Sequence, residues 1–83
     1  MPTVLRLGPY RFYFFSEENQ ASQEPPHIHV RSGDGVASFW LVPVGIRDFQ
    51  GYTPREVERI RPIVAANRDL LLRRWHEFFD QRP

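Results

Sequence analysis

Residues 27–41 read HIHVRSGDGVASFWL, with two runs of alternating apolar and polar residues on either side of a Gly-Asp-Gly cluster. A two-residue loop at Gly33-Asp34 predicts an antiparallel hairpin in which Ile28 lies opposite Phe39. One face of this hairpin is then apolar and carries Ile28, Val30, Ala37, Phe39 and Leu41. The other face carries His27, His29, Arg31, Ser38 and Trp40. A shift by one residue would mix the two sets, so the alternation favours this pairing.

Further strands are predicted on both sides of the hairpin. Residues 3–7 form a short β-leaning run, and residues 10–15 (YRFYFF) are strongly aromatic, which is typical of strands. Residues 42–48 predict one more short strand, which gives an antiparallel sheet of roughly four to five strands. The polar segment SEENQASQEPP, residues 16–26, predicts an exposed and mobile loop.

A helix start is marked by TPRE at residues 53–56. Thr53 suits the N-cap, Pro54 suits the first helical position, and Glu56 completes a capping box. Apolar residues then recur at helical spacing: Val57, Ile60, Val64, Leu71, Trp75 and Phe78. This stripe keeps its phase across Pro62, which predicts one long helix from Pro54 to about Phe79 that is kinked at the proline.

The order of these elements predicts the fold class. Strands followed by one helix indicate a single α+β domain over residues 1–83, with the helix packed on one face of a small antiparallel sheet. The sheet face with His27, His29 and Trp40 is then left open to solvent, to the loop or to a partner.

Composition excludes several classes of protein. The chain has no cysteine, so it has neither disulfides nor a thiolate zinc site. It lacks an apolar run of the roughly 20 residues that cross a bilayer, and MPTVLRLGPY does not resemble a signal peptide, which predicts a cytoplasmic protein. The net charge is +1, too small by itself to attract nucleic acid. All eleven basic residues are arginines.

Several ordered motifs point to a known family: MPTVLR, YRFYFF, EPPHIHV, GDGVASFWL and NRDLLLRRWHEFF. Together they resemble a family of small bacterial proteins, the domain-of-unknown-function family numbered 4160. The resemblance implies a stand-alone cytosolic protein that is often encoded beside another small protein, as in toxin–antitoxin-like pairs. It implies no established activity. The matching positions, which carry no assigned roles, are Pro26, His27, His29, Trp40, Asn67, Trp75 and His76. The segment formed by residues 16–26 is longer than the corresponding segment of the usual family pattern.

His27 and His29 are candidates for a metal site, because residues two apart on a strand point to the same side. Zinc needs at least a third protein ligand, and no spacing selects one. The candidates for it are Glu24, Asp34, His76 and Glu77. Alternatively, both rings make hydrogen bonds on a half-exposed sheet face and stack with Trp40. No cofactor is predicted.

The same two histidines are candidates for acid–base catalysis near neutral pH. A metal-free ribonuclease needs such groups beside arginines that stabilise the charge on the phosphorus centre. Arg11 and Arg31 would serve if Arg11 points to the same sheet face as His29, and Tyr13 is in phase with Arg11. Ordinary surface residues on a small sheet are the competing interpretation.

Two helix positions raise further alternatives. Asn67 interrupts the apolar stripe, and it either anchors the helix to a strand or loop carbonyl or sets the register at a dimer or partner interface. Trp75 continues the stripe and is predicted to be core. His76 lies off the stripe, so we expect it to be exposed and far from His27 and His29.

Three functional hypotheses follow. The leading one is a non-enzymatic interaction protein, one half of a two-gene pair. Its binding residues are predicted to be His27, His29, Arg31, Trp40 and Asn67. The alternatives are a metal-free ribonuclease-like toxin that uses His27, His29, Arg11 and Arg31, and a metal-binding domain. The predicted partner is a protein from a neighbouring gene. A homodimer and nucleic acid stay open, and no membrane partner is predicted.

Overall fold

The computed structural model describes residues 3–15 and 24–79. The elements in chain order are β1 (Thr3–Leu7), β2 (Tyr10–Tyr13), β3 (His27–Ser32), β4 (Gly35–Leu41), β5 (Val44–Gln50), α1 (Pro54–Ala66) and α2 (Arg68–Phe79). The strands form one five-stranded antiparallel sheet in which each strand pairs with the next along the chain. The α+β class is therefore confirmed. Most of the predicted loop, residues 16–23, lies outside the described residues.

The central hairpin has the predicted register. Ile28 lies opposite Phe39, and His29 lies opposite Ser38. Gly33 has a φ of +53° in the two-residue turn, a conformation that costs glycine little because it has no Cβ. The alternation of apolar and polar residues thus specifies both the pairing and the face of each side chain.

Strand β5 begins and ends two residues later than predicted, and it contains a register shift. Ser38 lies opposite Asp48, but the next residue, Phe39, lies opposite Ile46, so Arg47 is an extra residue in the ladder. Such a β-bulge leaves one residue unpaired and re-aims its side chain. The bulge explains how Ile46 and Phe49, three residues apart, both pack against the core.

The prediction of one long helix kinked at Pro62 is wrong. Pro62 lies inside α1, and the chain breaks at Asn67 instead. The backbone N–H of Asn67 is shared between the carbonyls of Ile63 and Val64 at 3.2 and 3.1 Å. The side-chain Nδ2 also donates to Ile63 at 2.8 Å. The carbonyl of Asn67 then accepts from Leu71 at 2.9 Å, so this residue ends one helix and begins the next.

The start of α1 is as predicted. Thr53 Oγ1 accepts a hydrogen bond from the Glu56 backbone N–H at 3.2 Å. The Glu56 carboxylate accepts one from the Thr53 N–H at 2.7 Å. Two otherwise orphaned donors are satisfied reciprocally, which is the capping box that the sequence predicts.

Helix α2 lies along one end of the sheet, where β2 and β4 end and β3 begins. Arg68 Nε donates to the carbonyl of Leu41 at 2.9 Å. Further along the helix, the Trp75 ring contacts Phe14 with centroids 5.5 Å apart and His27 with centroids 5.1 Å apart. Helix α2 follows directly after the break at Asn67. We call this end of the sheet the His27 end.

The hydrophobic core lies between the apolar sheet face and the two helices. Its buried members are Phe12, Phe14, Ile28, Val30, Ala37, Phe39, Leu41, Val57, Ile60, Val64, Leu71 and Trp75. The apolar stripe that the sequence predicts from Val57 to Trp75 is buried on both sides of the break at Asn67.

Candidate functional site

The sheet face opposite the core carries the candidate site. Cross-strand pairing places on it Arg6, Arg11, Tyr13, His27, His29, Arg31, Val36, Ser38, Trp40, Asp48 and Gln50. We call this set the histidine face. Directly opposed residues in an antiparallel sheet share a face, so Arg11, Tyr13 and His29 are on the same side, as the catalytic hypothesis requires.

His29 lies in an aromatic cluster at the middle of this face. Its ring stacks on Tyr13 with centroids 5.5 Å apart and planes inclined by 22°. Phe15 meets it edge to face at 4.5 Å. The Arg11 guanidinium lies over the Tyr13 ring, 5.2 Å from its centroid. His29 is half-buried, and Phe15 keeps 40% of its surface exposed.

His27 is fully buried, contrary to the expectation of an open position. Its exposed fraction is 0%, because its ring lies between Trp40 at 5.7 Å and Trp75 of α2 at 5.1 Å. The Nδ1 atom lies 2.9 Å from the Pro25 carbonyl oxygen, to which it donates. The sequence did not predict this burial because it depends on α2 lying along the His27 end of the sheet.

Arg47 joins the histidine face through the bulge in β5. Its guanidinium lies over the Trp40 ring, 5.3 Å from the centroid. Nη1 donates to Ser38 Oγ at 3.3 Å, and Nη2 donates to the Glu24 carboxylate at 2.9 Å. Strict alternation would place Arg47 on the opposite face from Asp48, so sequence analysis missed it. The spacing of apolar residues in β5 is the signal that identifies it.

A shallow depression of about 100 Å³ lies beside His29. Its polar lining includes His29, Ser38, Asp48 and Gln50. Pockets for small molecules usually enclose about 300–1,000 Å³. The depression is therefore suited to receiving one side chain rather than enclosing a substrate.

The candidate metal ligands do not come together. Within residues 3–15 and 24–79, no group of three His, Cys, Asp or Glu side chains is arranged to hold a metal ion. The His27 and His29 rings are neighbours, with centroids 5.3 Å apart, but Glu24 pairs with Arg47. Glu77 pairs with Arg74 at 3.0 Å. The other two candidates, Asp34 and His76, are exposed at the hairpin turn and on α2.

Asn67 has a structural position. It is half-buried, and its amide bonds to the Ile63 carbonyl within its own helix rather than to a strand or loop. An anchor between helix and strand, one of the two roles that the sequence predicts for Asn67, is instead made by its neighbour, through the Arg68 bond to Leu41.

Comparisons with known proteins give one match. The family described as Domain of unknown function (DUF4160) matches residues 10–76, which include the hairpin, α1 and most of α2. No curated protein and no solved structure matches the chain. Neither helix in the described part of the chain is long and apolar enough to cross a membrane. The match covers far more than half of the chain, so the protein belongs to the DUF4160 family.

Proposed function

We propose that the protein is a cytoplasmic interaction module, one half of a two-gene, toxin–antitoxin-like pair, and that its histidine face contacts the partner protein. The supporting observation is the coverage of the sheet. The helices pack on the apolar face and along the His27 end, whereas Phe15 is 40% exposed and His29 and Trp40 are half-buried on the other side.

The residue types on this face suit a protein contact. Aromatic residues and arginine dominate the energetics of protein interfaces. Trp40 is already oriented by Arg47, whose guanidinium is fixed by Ser38 and Glu24. A side chain held in one geometry loses little conformational entropy on binding, which favours Trp40 as an anchor. The shallow depression beside His29 favours a contact surface over a substrate pocket.

The two histidines have different roles in this proposal. His29 and Arg31 contact the partner directly, since His29 is half-buried and Arg31 is exposed. His27 acts indirectly by fixing the positions of Trp40 and the His29 ring, which it touches. Asn67 contributes only through the course of α2.

The ribonuclease alternative draws on the gathering of Tyr13, His29, Arg11 and Arg31 on one face. The burial of His27 and its bond to Pro25 argue against a pair of catalytic histidines. Of the two rings, only that of His29 is accessible to a substrate at this face of the described chain. The test is incubation of purified wild-type protein and a His29→Gln variant with cellular RNA. Cleavage by the wild type that the variant lacks would establish the alternative.

The interaction proposal is tested by a tagged pull-down from the native host. Wild type is compared with a Phe15→Ala/His29→Ala variant, which removes exposed aromatic surface from the histidine face. His76→Ala is the matched control, because this histidine is exposed on α2. We expect one specific protein to be retained by wild type and by the control and to be lost from the double variant. A partner that both variants retain, or no partner for any of the three, would refute the proposal.

A further inference from the structure

Three arginines lie side by side across the first three strands. Arg6 of β1 is directly opposite Arg11 of β2, and Arg11 is directly opposite Arg31 of β3. We call these residues the arginine row. Neighbouring strands are about 4.8 Å apart, so the three backbone positions span about 10 Å. Arg6 and Arg31 are exposed, and Arg11 is half-buried between them.

The arginine row has no counter-charge within the described residues. Four other arginines, Arg47, Arg61, Arg68 and Arg74, each pair with a carboxylate, whereas Arg55, Arg59 and Arg73 are separate exposed positions on the helices. No such pair involves the arginine row in the described part of the chain. The Arg11 Nε atom is shielded from solvent and has no hydrogen-bond partner there. The cation–π contact to Tyr13 gives the guanidinium an attractive neighbour but leaves that N–H unsatisfied.

This arrangement is unfavourable in the isolated chain. Like charges directly opposite each other in a sheet destabilise it, and a shielded donor without a partner loses the hydrogen bond that it makes to water in the unfolded chain. An anion across the row offsets the repulsion, because the exposed guanidinium nitrogens can bind carboxylates in a planar, bidentate geometry.

We propose that the arginine row binds an acidic segment of a partner protein, with carboxylates seated on Arg6, Arg11 and Arg31. This inference rests on the proposed function and specifies the chemistry of the partner. The segment would cross β1 to β3 beside the Tyr13–His29 stack, so that acidic residues meet the row while an apolar side chain meets Phe15.

The overall charge favours a protein segment over RNA. The net charge is +1 and the isoelectric point is about 8.3, whereas nucleic-acid-binding domains typically exceed about 9 and spread their basic residues along a path for the phosphate backbone. Here the carboxylates of Asp48 and Glu24 share the histidine face with the arginine row. The positive charge of the row is therefore confined to the part of this face over strands β1 to β3.

The test uses purified protein and three fluorescent probes. The first is a peptide of alternating glutamate and threonine, the second replaces each glutamate by glutamine, and the third is single-stranded oligouridylate with the same number of charges as the first. Binding is followed by fluorescence anisotropy at low and at physiological salt. The variant is Arg6→Gln/Arg11→Gln/Arg31→Gln. Its control is Arg55→Gln/Arg59→Gln/Arg73→Gln, which removes the same charge from exposed helix positions.

We expect the glutamate peptide to bind at least about tenfold more tightly than the glutamine peptide, and the arginine-row variant to lose at least about tenfold in affinity while the helix variant binds like wild type. Circular dichroism confirms that both variants are folded. Equal binding of the two peptides, equal losses in the two variants, or tighter binding of oligouridylate than of the glutamate peptide would each overturn the inference. A pull-down that still captures a partner in those cases would leave the interaction function standing, so the two failures are distinguishable.

Discussion

The two histidines of EPPHIHV occupy different environments although they are only two residues apart. His27 is enclosed by Trp40 and Trp75, whereas His29 is half-buried and stacks on Tyr13. Strand alternation predicts that both rings lie on one face, and they do. It cannot predict that only one of them is buried, because that depends on a helix from the far end of the chain.

This difference predicts unequal effects of truncation on stability. His27→Ala removes a fully buried ring and its hydrogen bond to Pro25, so we expect it to lower the free energy of unfolding by about 2–4 kcal/mol. His29→Ala removes a half-buried ring, and we expect a loss of less than about 1 kcal/mol. Urea unfolding followed by circular dichroism measures both values, and equal losses would contradict this assignment.

The arginine row predicts a substitution that stabilises the isolated protein. Arg31→Gln removes a positive charge directly opposite Arg11, so we expect the free energy of unfolding to rise by about 0.2–1 kcal/mol, and the gain to shrink with added salt. Arg47→Gln is the control, because it breaks a bond to Glu24 and a contact with Trp40 and should lower stability instead. If Arg31→Gln also destabilises the protein, repulsion within the row is not significant.

At the scale of elements, the parts predicted correctly are those specified by local patterns. The hairpin register follows from alternation around Gly33-Asp34, and the start of α1 follows from the capping box at Thr53. The break at Asn67 was missed because the apolar stripe keeps its phase through it. The position of Arg47 was missed because a bulge shifts the alternation. The break leaves no mark in the apolar stripe, whereas the three-residue spacing of Ile46 and Phe49 does indicate the bulge.

The course of α2 along the His27 end predicts a specific role for Arg68. Its bond to the Leu41 carbonyl ties the start of α2 to the sheet. Arg68→Met keeps the aliphatic stem but removes this donor, so we expect the free energy of unfolding to fall by about 1–2 kcal/mol. Relative to wild type, amide hydrogen exchange should become faster in α2 but not in the sheet. Arg74→Met on the same helix removes only the exposed pair with Glu77 and should cost less than about 0.5 kcal/mol. Identical exchange in the two variants would show that packing alone positions α2.

At the scale of the whole molecule, the helices and the apolar core cover one face and one end of the sheet, and the polar residues of the histidine face lie on the other face. The two tryptophans report on these sides separately. Trp75 belongs to the core and is 2% exposed, while Trp40 is half-buried on the histidine face. One spectroscopic measurement therefore distinguishes a partner bound to the histidine face from one bound to the helices.

We expect acrylamide to quench the fluorescence of Trp40 but not that of Trp75 in the free protein, because quenching requires access from solvent. Addition of the captured partner should reduce this quenching if the histidine face is the contact surface. A Trp40→Phe variant, which keeps an aromatic ring next to His27, should show little quenching with or without the partner. Unchanged quenching of wild-type protein in a complex that has demonstrably formed would place the partner on the helices, and the histidine face would lose its assignment as the contact surface.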